Sequence, residues 1–556
     1  MEYFEAIDEP DHTEPNEAVT RRKKKLIKSS VTIHDQTQIE TAFDYRIRDV
    51  NKNRNDQKKI EFQVEAWFFF PNQMAGGLHD LTRGKFYQDL RPMMRFREPR
   101  YSYKEFMGLS KKKLEAPLEK IRKIFIACEN SPSEINQTEI IYLARMSACS
   151  FSSWLLRRVN RRCKNIRKSN KTGNQDQFLS LQKRCDELFK RGRLLLLDWH
   201  KLVQESYSQK VSQDVRNELL LAEEYCHYRF REGLARLILS LQNSDDSPET
   251  RSFENRLKKW TRWQWLASKR LGLRWIDQDS HPIDQERFMN HLSFLKKNMW
   301  QVLYLEVTSR KIVEFRKQLG YMLAAGFAAL WAFIANFLIW KELQFGGFSS
   351  LDGFDGLIGM SGMLITLAFV LSYILKDRIK ELGRSRLSRG ILGDIPDFSE
   401  KITAKDKNGK QFKVGIIREW VHRVQENKKI PEAVTQIRSQ LPGEWAATGQ
   451  QVLYYRKRVT LNSNIPELAQ MPIEAVRDIT RFNIRRHLAR LDDPLQKYLR
   501  LSRKGKVMQI WVPKSYCVDL ILSYSSRNKD GRSERMTIDG NRLVINKEGL
   551  QRIDQI

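Results

Sequence analysis

The sequence has few cysteines and lacks the common catalytic motifs. Six cysteines are spread over 556 residues with no CxxC pair, which excludes a disulfide-rich scaffold and an ordinary zinc ribbon. Walker A, GxGxxG, HExxH, GxSxG and EF-hand sequences do not occur. The sequence therefore predicts no cofactor and no metal site, and it identifies no catalytic residue.

Acidic residues are too few to balance the basic ones. Lys and Arg total 98 against 67 Asp and Glu, which gives a formal net charge of +31. This excess predicts a partner with fixed negative charge, either nucleic acid or an anionic membrane surface. The first 25 residues are polar and contain no apolar run, so we expect no secretory signal peptide.

Two segments have no charged residue at all. Residues 319–340 form one run of 22 such residues, and residues 356–375 form another of 20. As helices these runs measure about 33 Å and about 30 Å, enough to cross a hydrocarbon core of about 30 Å. Basic residues flank the pair on its outer sides, and acids dominate the connection. The sequence thus predicts a two-span, multi-pass protein of the cell inner membrane with both termini in the cytoplasm.

Small residues recur along both charge-free segments at helical spacing. Such residues let the backbones of membrane helices approach closely. One interpretation is that the two helices pack against each other within one chain. The other is that several chains associate through these faces, which could surround a pore. The predicted packing residues are Gly320, Ala324, Ala328, Ala332, Asn336, Gly353, Gly356, Gly359 and Gly362.

Proline is absent between Pro282 and Pro396, which favours long uninterrupted helices. We therefore expect residues 285–340 to form one helix or two nearly collinear ones, with a cytosolic stalk. The predicted fold class is α+β and predominantly helical, with a two-span transmembrane hairpin between two cytosolic domains. The predicted segments are a mobile tail (1–35), a β-rich segment (36–110), a helical domain (111–282), the stalk and hairpin (283–390) and a C-terminal α+β domain (391–556).

Alternation of apolar and polar residues predicts the strands. Residues 41–49 and 58–70 alternate with period two and are interpreted as a β-hairpin. An Asn-Gly turn at Asn408–Gly409 predicts a second hairpin, followed by helices up to about Arg503. The chain then ends in a predicted β-meander with turns at residues 530–531 and 539–540. Ser247 or Asp246 is expected to cap the helix that follows residues 244–249.

Two basic stretches are candidates for phosphate or lipid contact. No acid occurs between Glu139 and Asp176, and the basic side chains there either end a solvated helix or contact lipid or nucleic-acid phosphates. These residues are Arg157, Arg158, Arg161, Arg162, Lys164, Arg167 and Lys168. A second stretch mixes aromatic and basic residues as an interfacial helix does, although base stacking and core packing are equally consistent with it. Its residues are Trp260, Trp263, Trp265, Lys258, Lys259 and Arg262.

These features predict an integral inner-membrane protein that acts as an oligomeric scaffold, sensor or pore-type effector rather than an enzyme. Its expected partners are the membrane, anionic lipid, and other copies of itself or other proteins. The alternative is a membrane-tethered nucleic-acid-binding protein or nuclease. Arg481 and His487 have the spacing of the Arg–His pair of HEPN-type ribonucleases, but so many basic residues produce this match by chance.

Overall fold

The computed structural model describes sixteen stretches of the chain. They are residues 26–47, 59–75, 82–109, 116–130, 134–172, 175–243, 247–277, 279–345, 360–390, 396–424, 430–442, 450–462, 465–468, 473–503, 505–527 and 536–556.

The N-terminal half contains five strands and most of the long helices. In chain order these elements are β1 (Ile27–Asp35), β2 (Gln38–Arg46), β3 (Lys59–Pro71), α1 (Asn72–Ala75), α2 (Arg83–Asp89), β4 (Leu90–Phe96), α3 (Tyr103–Phe106), α4 (Pro117–Asn130), α5 (Glu134–Thr172), α6 (Gln175–Ser208), α7 (Gln213–Gln242), α8 (Pro248–Arg270), α9 (Pro282–Trp300) and β5 (Glu306–Lys311).

Two further long helices and nine strands follow. These elements are α10 (Ile312–Phe345), α11 (Met360–Gly390), β6 (Phe398–Lys405), β7 (Gln411–Val424), α12 (Glu432–Ser439), β8 (Gln450–Asn462), β9 (Ala475–Asn483), α13 (Arg485–Leu488), β10 (Leu495–Leu501), β11 (Val507–Pro513), β12 (Tyr516–Arg527), β13 (Thr537–Asn546) and β14 (Gly549–Gln555).

Strands from the two ends of the chain share two antiparallel sheets. The large sheet has the order β14-β13-β12-β3-β8-β7-β6-β5, so β3 lies between two strands from the C-terminal part. The small sheet has the order β1-β2-β9-β4. The N-terminal and C-terminal regions thus fold together as one body rather than as separate domains.

Strand β3 is buried on both faces, which explains its long apolar run. Alternate residues from Ile60 to Phe70 belong to the main core, beside side chains of the small sheet such as Phe482. On the opposite face, Trp67 and Phe69 pack in a second cluster that includes Val434 of α12. A central strand covered on both sides can be apolar at every position.

Helices α4 to α9 form a bundle beside the sheets. Aromatic side chains fill its interior, including Trp154, Trp199 and Phe230, and they belong to the same core cluster as the sheets. The predicted cap of α8 is confirmed, because the Ser247 hydroxyl accepts the Thr250 N–H at 3.2 Å.

Helices α10 and α11 interrupt the large sheet between two paired strands. Strand β5 runs directly into α10, and α11 leads back to β6, which pairs with β5 from Glu306↔Thr403 to Lys311↔Phe398. The two helices pack against each other. They are therefore a long insertion at one edge of the sheet.

The predicted fold class is wrong in its central feature, the two-span hairpin between separate domains. Within the described residues, one helix, Tyr321–Lys341, is long and apolar enough to cross a membrane. A two-span protein is therefore poorly supported. Large sheets that interleave both ends of the chain replace the two expected cytosolic domains.

Several local predictions are also wrong. Strands β2 and β3 lie in different sheets and form no hairpin, and β1 occupies part of the predicted mobile tail. The predicted helix over residues 285–340 is broken by β5, since its Val307 and Thr308 join a ladder with β6. Strands β8 and β9 lie where helices were expected. The Asn408–Gly409 hairpin is confirmed, with Gly409 at φ +78° between β6 and β7.

Candidate functional site

Helix α10 presents large apolar side chains to the outside of the molecule. Met322 is 70% exposed and Phe333 is 69% exposed. Only 11% of the most apolar part of Tyr321–Lys341 is buried inside the protein. Soluble proteins rarely expose contiguous apolar patches larger than a few hundred Å². This surface is therefore the strongest functional candidate in the described part of the chain.

Helix α11 extends the same apolar surface. Large side chains along its first half are exposed, and they are Leu367, Phe369, Val370, Leu371, Tyr373, Ile374 and Leu375. Together with α10 they form what we call the apolar pair, residues 321–341 of α10 and 366–375 of α11. The absence of charged residues from both segments predicts this apolar surface from the sequence.

The small-residue stripe lies partly inside the apolar pair. Ala324 and Ala328 are buried, Ala332 is half-buried, and Asn336 is exposed. Since α11 is the helix packed against α10, these alanines favour packing within one chain. Gly320 lies in α10 and Gly362 in α11, whereas Gly353, Gly356 and Gly359 lie outside the described residues.

Arg157 of the first basic stretch lies on α5 near two arginines of the segment that follows β4. Its guanidinium donates to the Ser153 carbonyl at 3.0 Å. Burial lowers the pKa of Arg157 to about 9, and neighbouring Arg100 and Arg97 lower it as well. Each of those two arginines has a carboxylate partner, since Arg97 lies 3.4 Å from Asp44 and Arg100 lies 2.9 Å from Glu474. No local sequence pattern predicts that Arg97 and Arg100 lie near Arg157.

The rest of this stretch follows α5 outward. Arg158 stacks on the Trp154 ring at 5.3 Å, and Arg162 donates to the Arg184 carbonyl at 3.1 Å. Arg161 is half-buried, while Lys164 and Arg167 are exposed. Lys168 lies in the same helix. The stretch therefore divides into an inner part that serves packing and an outer part that reaches solvent.

The tryptophans of α8 face in different directions. Trp263 packs on Phe230 with ring centroids 5.6 Å apart, and Trp260 packs on Phe189 and donates to Asp186 at 3.3 Å. Trp265 is exposed and carries Lys269 over its ring. Lys258, Lys259 and Arg262 are exposed on the same helix. Core packing thus uses two of these tryptophans, and one remains for an outside contact.

A buried charged network that no sequence pattern predicts lies between the two sheets. Lys457 of β8 lies 2.7 Å from Asp478 of β9 and 3.7 Å from Glu419 of β7. The Tyr45 hydroxyl donates to Asp478 at 3.1 Å, and the Tyr455 hydroxyl donates to Glu419 at 2.8 Å. All five side chains are buried. Their spacing along the sequence carries no signal, because the contacts join strands of two different sheets, and Tyr45 lies 433 residues from Asp478.

The oppositely charged groups of this network favour one another's charged forms. Burial alone would lower the pKa of Lys457, but Asp478 and Glu419 outweigh burial and raise it above its ordinary value. Burial raises the pKa of Glu419, and Lys457 opposes that rise. The adjoining cavity is about 30 Å³ and mostly apolar in its lining. It has room for about two water molecules, which fits a structural role for the network.

Arg481 and His487 do not form a joint site in the described structure. Arg481 lies on β9 and pairs with Glu40 at 2.8 Å. His487 is buried against Phe70, and burial lowers its pKa. Among the described residues, no group of three or more His, Cys, Asp or Glu is placed to hold a metal ion.

Comparison with known proteins adds no family to this description. The chain matches no protein-family model, no curated protein and no solved structure.

Proposed function

We propose that this chain is a membrane-anchored scaffold, held at a lipid bilayer by α10 with α11 packed beside it. The observation that supports the proposal is the apolar pair, whose large side chains face outward over residues 321–341 of α10. Lipid is the environment in which such a surface has the lowest free energy, since each exposed apolar side chain gains by leaving water.

The topology supports an anchor rather than a core helix. Strand β5 ends at Lys311 and β6 begins at Phe398, and these two residues are paired. The insertion therefore begins and ends at one place on the sheet, while the strands of the sheets and the helices of the bundle lie outside it in the chain. This arrangement leaves the body on one side of the surface that the pair contacts.

The scaffold part of the proposal is supported by basic surface on the body. The exposed Lys164 and Arg167 on α5, and Lys258, Lys259 and Arg262 on α8, are charged and accessible to a partner. Anionic headgroups or an acidic partner would neutralise such side chains.

The test compares two triple variants in a vesicle flotation assay without detergent. Phe327→Lys, Phe333→Lys and Leu338→Lys place charge on the exposed face of α10, where each charge costs about 3 kcal/mol within a bilayer. Ile126→Lys, Leu239→Lys and Met289→Lys place equal charge at exposed apolar positions of the bundle. We expect the control to float with vesicles and the α10 variant to stay in the soluble fraction. Equal flotation of both variants would contradict the anchor.

The second candidate function is nucleic-acid binding by the tethered body. The basic excess and the exposed outer end of α5 favour it. Salt-dependent binding of duplex DNA or RNA that falls on Lys164→Gln with Arg167→Gln would support this function. Retained binding to anionic vesicles with no nucleic-acid binding would favour the scaffold.

A further inference from the structure

Strands β10 and β11 form a two-stranded ribbon that is separate from the other two sheets of the described residues. Among the strands of the described residues they pair only with each other, from Leu495↔Pro513 to Leu501↔Val507. All but one of their residues are exposed, and Ile510 is half-buried. An isolated two-stranded ribbon is at best marginally stable in water. We therefore expect contact with another surface to stabilise this ribbon.

Both faces of the ribbon carry large apolar side chains. One face holds Leu499, Leu501, Val507 and Trp511, and the other holds Tyr498 and Met508. Exposure rises toward the turn, from 51% at Leu495 to 71% at Leu501. The most exposed apolar residues are thus at the tip of the ribbon. The tip is the part that would insert first into an apolar environment.

The charge of the ribbon is of one sign. Between Pro494 and Val518 the sequence contains six Lys or Arg residues and no Asp or Glu. Arg500, Arg503 and Lys506 are exposed around the turn, and Lys497 lies over the Trp511 ring at 5.1 Å. Acids lie only at the base, where Asp492 accepts from Tyr516 and Asp493 pairs with Lys547. Apolar tip residues beside basic residues are typical of segments that enter an anionic membrane interface.

The ribbon is connected to the large sheet at the same end as the helices of the apolar pair. Every neighbouring strand pair from β12 to β5 is antiparallel. Strand β5 therefore ends, and β6 and β12 begin, at one end of the sheet. The ribbon immediately precedes β12, and its base is closed by the Lys514 N–H, which donates to the Pro494 carbonyl at 2.8 Å. The basic charge of the ribbon and its position at this end of the sheet both favour contact with an anionic membrane surface.

We propose that the β10–β11 ribbon is a second membrane contact, which inserts Leu501 and Val507 among anionic lipid headgroups while Arg500, Arg503 and Lys506 bind the phosphates. This proposal rests on the proposed function, because it assigns the ribbon to the bilayer that α10 contacts. It gives the anchored body a fixed orientation and a preference for anionic lipid.

The test places an environment-sensitive fluorophore at one position at a time in the full chain. Cys163→Ser and Cys517→Ser remove the two cysteines that are not buried. The label is then attached at Leu501→Cys on the ribbon, at Phe333→Cys on α10, or at the exposed control position Leu239→Cys on α7. Each labelled protein is measured in phosphatidylcholine vesicles, with and without phosphatidylglycerol, and with duplex DNA.

We expect the label at position 501 to shift to the blue, and its quenching by aqueous iodide to fall about five-fold, only in the anionic vesicles. Arg500→Gln, Arg503→Gln and Lys506→Gln together should abolish this response. Lys183→Gln, Lys190→Gln and Lys201→Gln, which remove equal charge from exposed positions of α6, should leave it unchanged.

The contrary outcomes separate the two proposals. A protected label at position 333 with a water-exposed label at position 501 in anionic vesicles would overturn the ribbon contact and leave the anchor standing. A water-exposed label at position 333 would overturn the anchor, irrespective of the response of the label at position 501. A response of position 501 to duplex DNA and not to anionic vesicles would assign the ribbon to nucleic acid and overturn its lipid contact.

Discussion

Helices α7 and α10 are of similar length, with 30 and 34 residues, but they place their apolar residues in opposite ways. Helix α7 buries Tyr225, Phe230 and Leu237 inside the bundle. Helix α10 buries Ala324 and Ala328 and exposes Phe327 and Phe333. The body of the protein therefore buries its apolar side chains within the chain. The apolar pair leaves them exposed, so only a surface outside the chain can cover them.

The largest expected difference concerns matching aromatic truncations in these two helices. Phe230→Ala should lower the free energy of unfolding by about 3–5 kcal/mol, because it opens a cavity in the bundle. Phe333→Ala should change it by less than about 0.5 kcal/mol, because the side chain has no packing to lose. Urea denaturation in mild detergent, followed by circular dichroism, measures both. Equal losses would show that α10 is packed like α7.

The body buries charge as well as apolar surface, and removing one partner should be costly there. Lys457→Met leaves Asp478 and Glu419 buried without their cation, so we expect a loss of about 3 kcal/mol in the free energy of unfolding. The double variant Lys457→Met with Asp478→Asn should recover part of this loss. A double variant that is less stable than the single one would contradict the proposed coupling. The same denaturation assay measures it.

Acid should weaken the bundle through His227. Burial lowers the pKa of His227 to about 4 from its ordinary value of 6.5. Below pH 6.5 the unfolded chain binds a proton that the folded chain does not, so the stability present above pH 6.5 is lost as the pH falls toward 4. The loss is about 3 kcal/mol. His227→Gln should remove this part of the pH dependence, and an unchanged pH profile would show that His227 is not its source.

A smaller loss than that of the buried groups is expected at the start of α8. Ser247→Ala removes the hydroxyl that caps the Thr250 N–H and should cost about 1 kcal/mol in the free energy of unfolding. Ser247→Asp should retain most of that stability, since aspartate also caps helices. A larger cost for Ser247→Asp than for Ser247→Ala would exclude the capping role. Thermal denaturation of the two variants provides the comparison.

Helices were easier to predict than sheets because their signals are local. The 3.6-residue period located α4 to α7, and the Ser247 cap follows from adjacent residues. A period of two shows which side of a strand is apolar but not which strand is its neighbour. The pairing of β2 with β9 joins residues more than 400 positions apart, and no local pattern could predict it.

The roles of Gly540 and Arg157 depend on tertiary packing, which local sequence patterns do not show. Asp539–Gly540 resembles a turn, but both residues lie within β13. A Cβ at Gly540 would lie 2.8 Å from a side-chain carbon of Ile437, so the glycine allows α12 to approach the sheet. The sequence predicts a solvated helix end or a phosphate contact for Arg157, whereas in the structure it is largely buried near Arg97 and Arg100, which follow β4. The apolar pair was found from sequence because missing charge is a local property.

The most direct test of the account is the environment of residue 333 in the detergent-free protein bound to vesicles. A spin label at Phe333→Cys, with Leu239→Cys as the control, reports contact with oxygen, which partitions into lipid, and with a nickel chelate, which stays in water. The account predicts that oxygen relaxes the label at position 333 more strongly than nickel does, and that the order is reversed at position 239. Stronger relaxation by nickel at both positions would contradict the lipid contact of α10.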